Sequence, residues 1–235
     1  ERESYTAELD LSDIGKGTYP YYMLKEIDEQ PTVMRKLIQA YTDENDQVSV
    51  DPAIIKAVQE ADRLYILAAG TSYHAGFATK RMLEELTDTP VELGISSEWG
   101  YRWPLLSKKP MFILISQSGE TADSRQVLVK ANAMGIPSLT VTNVPGSTLS
   151  REATHTMLLH AGPEIAVAST KAYTAQIATL AFLAKAVGDA NGNEKAKTFD
   201  LVHELSIVAQ AIEATLSEKD GIDEKVRDLD RKSVV

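Results

Sequence analysis

The 235-residue chain contains no cysteine, which excludes disulfides, zinc–thiolate sites and cysteine nucleophiles within it. Basic residues are also scarce, with 24 Lys and Arg against 34 Asp and Glu and a formal net charge of −10 at pH 7. Because nucleic acids and anionic membranes are bound through basic faces, we expect neither as a partner. No apolar run approaches the roughly 18 residues of a transmembrane helix, and the acidic segment ERESYTAELDLSD does not resemble a signal peptide. We therefore expect a cytoplasmic protein.

Two common nucleotide-binding motifs are also missing from the sequence. No G-x-x-x-x-G-K-[ST] occurs, which argues against a metal-bound nucleoside triphosphate. Residues 70–76, GTSYHAG, form the first strand-to-helix turn but lack the G-x-G-x-x-G spacing of dinucleotide sites, although Glu92 lies about twenty residues further on.

The most informative segment runs from residue 110 to residue 135, PMFILISQSGETADSRQVLVKANAMG. Its apolar run 111–115 predicts a buried strand of a parallel sheet, and a helix follows. Between them lies a turn of small and polar residues: Ser116, Gln117, Ser118, Gly119 and Thr121. Such a turn lies at the ligand-binding edge of an α/β sheet, where free N–H groups and the helix dipole favour an anion. The turn is interpreted as a phosphate cradle.

Two weaker copies of this arrangement occur along the chain. Thr71 and Ser72 follow a predicted strand at 64–68, and Ala168 and Ser169 follow one at 156–160. A lone turn of this kind is more often a helix N-cap than a ligand site, so the interpretation depends on convergence of all three at one sheet edge. Residues 116–122 include no Lys or Arg, so hydroxyls and amides would bind the ligand. A small polyol phosphate monoester, held with micromolar to millimolar affinity, fits best.

The periodicity predicts one α/β unit with additional helices on both sides. Helical segments are predicted at 22–40, with a break at Pro31, at 52–61, with Asp51 as the N-cap, and at 194–216. The predicted strands are at 64–68, 91–95, 111–115, 138–142 and 156–160. Four of them should be parallel by the logic of βαβ units, and the fifth is expected to be parallel as well.

Four segments together resemble a known family. GTSYHAG at 70–76, SQSGETAD at 116–123 and EIAVASTKAYTAQ at 164–176 are similar to the first sugar isomerase (SIS) domain of the glutamine:fructose-6-phosphate aminotransferases, the glucosamine-6-phosphate synthases. YYMLKEIDEQP at 21–31 is similar to the stretch that joins the glutaminase domain of these enzymes to their isomerase half. SQSGET alone would indicate only the broader SIS superfamily. The resemblance implies an α/β fold with a doubly wound five-stranded parallel sheet in flavodoxin-like order 2-1-3-4-5 and extra flanking helices.

The resemblance also implies an organisation and a reaction. Residues 1–52 would form a linker and helical extension, 53–192 the SIS domain, and 193–235 a helical segment leading to an absent second SIS domain. The family converts fructose-6-phosphate and glutamine to glucosamine-6-phosphate and glutamate, without a metal or organic cofactor, as a homodimer. The residues implied to contact the sugar phosphate are Thr71, Ser72, Ser116, Gln117, Ser118, Thr121, Val167, Ala168 and Ser169.

Since the glutaminase half and the second SIS domain would be absent, we expect a fragment that binds fructose-6-phosphate or glucosamine-6-phosphate without turning it over. The alternative is a stand-alone SIS regulatory module that senses a phosphosugar, although no basic helix-turn-helix region is visible. Five titratable residues near the ligand edge could shuttle protons: Glu120, Glu164, Lys171, His74 and His160. A structural role is favoured for Glu120 and Lys171, in the first turn of a helix, and for His160, at the end of a core strand.

Self-association is expected through the amphipathic helical segments. Leu201, Leu205, Val208 and Ile212 recur on one face of segment 194–216.

Overall fold

A computed structural model of the chain describes residues 14–232. Its centre is a five-stranded sheet in the order β2-β1-β3-β4-β5, with every neighbouring pair parallel. The predicted fold class and strand order are therefore confirmed. The strands are β1 (Arg63–Ala68), β2 (Val91–Ile95), β3 (Pro110–Ser116), β4 (Ser138–Thr142) and β5 (His155–Leu158).

The continuous apolar runs arise because helices cover both faces of the sheet. Successive side chains of β1 point to opposite faces of the sheet and so belong to two different apolar cores. Leu64 and Ile66 lie in the core on the first face, and Tyr65 and Leu67 in the core on the second. The first face is covered by α4 (Gly70–Thr87) and α8 (Lys171–Asn191). The second is covered by α5 (Ser96–Tyr101), α6 (Ala122–Ala133) and α7 (Thr148–Glu152).

Four further helices add residues to the core on the first face: α2 (Gln30–Ala40), α3 (Pro52–Glu60), α9 (Glu194–Thr198) and α10 (Leu201–Ser217). The other two helices are α1 (Tyr22–Asp28) and α11 (Lys219–Lys232). The predicted break near Pro31 falls at Glu29, so that Pro31 occupies the first turn of α2, where its missing N–H costs little. The predicted Asp51 cap is confirmed, because its carboxylate accepts the N–H of Ala53 at 2.8 Å. Within residues 14–232, no helix combines the length and apolarity needed to cross a bilayer.

Three sequence-based boundaries were wrong. The predicted helix 194–216 is two helices, because the Asp200 side chain accepts the N–H of His203 and starts α10 anew. The predicted strand 156–160 ends at Leu158, because His160 adopts a left-handed φ of 48° and turns the chain. Residues 70–76 were expected to form a strand-to-helix turn but belong to α4, which begins at Gly70, so Thr71 and Ser72 lie in its first turn.

The amphipathic helices pack largely within the chain. Leu37 of α2 and Leu201 and Leu205 of α10 join the core that contains α8. Val208, predicted on the same face, is 41% exposed. Ala209 is buried in its place, because residues spaced by four lie on one face of a helix and Leu201, Leu205 and Ala209 have that spacing. The buried faces of α2 and α10 therefore do not by themselves require a second copy of the chain.

Candidate functional site

The turn after β3 holds itself in place through its own hydroxyls. The hydroxyls of Ser116 and Thr121 are 2.8 Å apart, and the N–H of Gly119 donates to Ser116 Oγ at 3.0 Å. The N–H of Glu120 donates to Ser118 Oγ at 3.2 Å. Ser116 is buried, Gln117 and Thr121 are partly buried, and Ser118 is exposed. The turn is thus pre-organised, and it leads directly into α6.

Gly119 lets the turn pack tightly against the loop after β4. Its φ is +66°, and a Cβ at this position would lie 2.0 Å from Ser147 Oγ and 2.8 Å from Thr142 Oγ1. The backbone is linked there as well, since the N–H of Leu149 donates to the carbonyl of Gly119 at 3.0 Å. Only a residue without a side chain fits this approach.

Glu120 fixes the same loop from the other side. Its Oε1 accepts the N–H of Thr148 at 2.8 Å. Hydrogen bonds from the side chain and backbone of Thr148 lower the pKa of Glu120, and the charges of Arg151 and Arg125 add to that effect. A carboxylate that is ionised and already engaged as an acceptor fits the structural role better than that of a general acid.

The first turn lies beside this cradle. Ala68 and Ile115 are register partners at the ends of β1 and β3, and the strand order reverses between these two strands. This is the topological switch point, where open α/β sheets bind ligands. Thr71 is exposed there, whereas Ser72 is buried and accepts a 2.9 Å hydrogen bond from Gln176 Nε2 of α8.

The third turn belongs to a long loop between β5 and α8. Glu164 organises its end: Oε1 accepts the N–H groups of Thr170 at 2.9 Å and Ala172 at 3.1 Å, and Oε2 accepts the Ser169 hydroxyl at 3.0 Å. Val167 and Ala168 are exposed, Val167 fully so. The structure thus places Ser169 in a hydrogen-bonded network, while the two apolar side chains face solvent.

Asn143 connects the second and third turns. Its N–H donates to the carbonyl of Gln117 at 3.0 Å. Its side chain donates to the carbonyl of Gly162 at 2.6 Å and accepts the N–H of Ala161 at 3.0 Å. Sequence reasoning missed this residue, although a polar side chain at the carboxyl end of β4 is the signal that could have identified it.

Two carboxylates of the α1–α2 segment also reach the third loop and were missed. Glu26, only 2% exposed, accepts the N–H groups of Ile165 at 2.5 Å and Ala166 at 3.0 Å through Oε1. Glu29 forms a 2.6 Å ion pair with Lys171, which is 3% exposed. Lys171 is therefore not a free amine at the ligand edge.

The two candidate histidines lie apart from this network. The His160 ring is exposed and packs edge-on against Tyr41, with ring centroids 5.8 Å apart, and partial desolvation lowers the pKa of His160. His74 is exposed and its ring packs edge-on against Tyr73, at 5.7 Å. Residues 14–232 contain no group of three or more His, Cys, Asp or Glu side chains that could hold a metal ion.

Comparison with known proteins identifies the fold family. The SIS domain model matches residues 57–186. The chain belongs to the SIS domain family. This assignment agrees with the strand order and with the position of the first two hydroxyl-rich turns at the switch point.

Curated relatives with high identity carry a more specific name. The glutamine–fructose-6-phosphate aminotransferase (isomerizing) of Streptococcus pneumoniae strain R6 is 87% identical over 229 residues, which are 97% of this chain and 38% of that protein. The protein of the same name from Streptococcus agalactiae serotype V is 84% identical over the same shares. The resemblance seen in the sequence is confirmed, and the chain spans 38% of the length of these relatives.

Solved structures agree on the fold. The C-terminal domain of glucosamine-fructose-6-phosphate aminotransferase from Francisella tularensis has a TM-score of 0.82 and 33% identity, covering 89% of this chain and 59% of that one. The NanR protein of Vibrio vulnificus, complexed with ManNAc-6P, has a TM-score of 0.55 and 17% identity, covering 79% of this chain and 70% of that one. The second likeness shows the fold alone.

Proposed function

We propose that the chain is the phosphosugar-binding part of the isomerase half of a glutamine–fructose-6-phosphate aminotransferase, and that it binds fructose-6-phosphate or glucosamine-6-phosphate. The pre-organised turn at the switch point carries this proposal, since it offers hydroxyls and amides to an anion without a cation. The 87% identity to the S. pneumoniae aminotransferase supports the choice of enzyme over a stand-alone regulatory module.

The roles follow from position. Ser116, Ser118 and Thr121, with Gln117, would hold the phosphate at the amino end of α6, where the helix dipole favours negative charge. The other two turns would complete the site, with phosphate or sugar contacts from Thr71 and Ser72 and sugar contacts from Val167, Ala168 and Ser169. Hydrogen bonds to a charged group contribute about 1.5 to 3 kcal/mol each, so several of them suffice for micromolar to millimolar affinity after association costs.

We expect the chain alone to bind without catalysing the reaction. Isomerisation needs a group that is free to move a proton between adjacent carbons. Glu120 accepts the backbone N–H of Thr148, and Glu164 accepts two N–H groups at the start of α8. Incubation with fructose-6-phosphate and ammonia should give no glucosamine-6-phosphate above background. Turnover that disappeared on replacing Glu120 or Glu164 would show that these carboxylates act as bases.

Calorimetry tests the binding site. Ser116→Ala and Thr121→Ala should each weaken sugar-phosphate binding by about 1 to 3 kcal/mol. Because the two hydroxyls bond each other at 2.8 Å, their effects should not add. Ser206→Ala is the matched control, since its hydroxyl bonds within α10 to the carbonyl of Val202. If the double variant binds as tightly as the parent, the cradle is assigned to the wrong turn.

A further inference from the structure

The loop proposed to line the sugar is held from outside the SIS unit. Helix α1 precedes residues 57–186, which match the SIS family, yet its Glu26 carboxylate accepts the N–H groups of Ile165 and Ala166. These amides lie immediately before the three residues proposed to contact the sugar. The contact is with backbone, so it acts on the path of the loop rather than on a particular side chain.

The environment of Glu26 indicates that this contact is more than helix packing. A carboxyl group on a residue that is only 2% exposed loses hydration, and hydrogen bonds from nearby donors offset that loss. One oxygen has its two loop amides, and the other, Oε2, is buried without a hydrogen-bond partner among residues 14–232. An apolar residue would pack α1 against its neighbours without this cost. The carboxylate is therefore explained by the amides that it holds.

The loop has little else to fix its tip. Val167 is fully exposed and Ala168 is exposed, so apolar packing does not order them. A cavity of about 120 Å³ lies next to the start of the loop, lined in part by Val33, Gly162 and Lys171. The far end is fixed by Glu164 and by the Lys171–Glu29 ion pair. The middle of the loop thus depends on Glu26.

We propose that Glu26 is a positioning residue: through Ile165 and Ala166 it holds the 167–169 segment in the conformation that contacts the sugar. This inference rests on the proposed function. The turn of the phosphate cradle is closed by its own hydroxyls and by Glu120. Asn143 links it to the start of the loop, at Ala161 and Gly162, ahead of the amides that Glu26 holds. Removal of the Glu26 carboxylate should therefore weaken recognition of the sugar and leave recognition of the phosphate intact.

The test uses the 235-residue chain with two ligands, fructose-6-phosphate and inorganic phosphate. Glu26→Ala should raise the Kd of the sugar phosphate about tenfold and change the Kd of inorganic phosphate less than about twofold. Glu26→Gln keeps an acceptor oxygen and should give an intermediate loss. Glu213→Ala is the matched control, since it removes a carboxylate that joins α10 to Arg35 of α2 away from the loop.

Hydrogen exchange supplies a second readout that does not need a ligand. Peptides covering residues 163–170 should exchange faster in Glu26→Ala, while those covering 116–121 keep the parent rate. Equal weakening of both ligands would indicate general damage and overturn the proposal, as would unchanged loop exchange. If the parent binds neither ligand, the proposed function fails, and loop exchange still decides whether Glu26 restrains the loop.

Discussion

Replacement of Gly119 by Ala is a strong test of the cradle geometry. Two separate costs should act at this position. The backbone φ of +66° is unfavourable for any residue with a Cβ, by roughly 1 to 2 kcal/mol. The new Cβ would also lie 2.0 Å from Ser147 Oγ and 2.5 Å from Ser147 Cβ, so the loop after β4 would have to move.

A second glycine separates these costs. Gly135 has nearly the same φ, +68°, but no other described atom lies within 4 Å of an ideal Cβ there. Gly135→Ala should therefore lower the free energy of unfolding by the backbone cost alone, roughly 1 to 2 kcal/mol. Overpacking adds about 1 to 3 kcal/mol, so Gly119→Ala should lose roughly 2 to 5 kcal/mol in total.

Urea unfolding of both variants measures the difference. Adding Ser147→Gly to Gly119→Ala removes the two closest contacts and should restore part of the lost stability, while the contact with Thr142 Oγ1 at 2.8 Å remains. Gly119→Ala should also weaken sugar-phosphate binding, because the Gly119 N–H is part of the turn. Equal destabilisation by the two Gly→Ala changes would refute the close approach of the two loops.

Three further predictions concern charge and assembly. Glu29→Ala leaves the buried Lys171 charge without the ion pair to Glu29 and should lower the free energy of unfolding in urea by about 3 kcal/mol. Lys171→Met should lower it less, because the partly exposed Glu29 still pairs with Lys25 at 3.4 Å. Partial desolvation lowers the pKa of His160, so the unfolded state binds a proton more readily than the folded state. The free energy of unfolding should therefore fall as the pH drops from about 7 to 5. His160→Asn should flatten this pH dependence, and an unchanged slope would contradict the assignment to His160. Sedimentation over a concentration series should show dimers if the proposed homodimer forms through this chain, and a strict monomer would assign the dimer contacts elsewhere.

The sheet could be predicted because its signals are local. β1 and β3 are apolar runs of the right length, and a polar turn follows β3 directly, as at Ile115 and Ser116. Parallel pairing then brings the first two turns together through the register of Ala68 and Ile115. These steps require only periodicity and the geometry of parallel sheets.

Boundaries were less predictable because competing local signals are close in strength. The helical spacing of apolar residues in 194–216 shows no break at Phe199 and Asp200. The pattern alone therefore does not reveal that Asp200 is the N-cap at which α10 starts. Asn193 starts the short helix α9 in the same way, by accepting the N–H groups of Lys195 and Ala196. Capping side chains outweigh periodicity where a helix can end within one turn.

The contacts that shape the third loop could not be predicted by local rules at all. Glu26 and Ile165 are 139 positions apart, and nothing in the helical pattern of α1 distinguishes a buried glutamate from a solvent-exposed one. The SIS family match, at residues 57–186, does not include α1. The conformation of residues 167–169 therefore depends on a segment outside that match, and likeness of fold alone does not transfer it between proteins. The cradle, by contrast, is built within the matched region, so its geometry is the part of the site that fold similarity can carry.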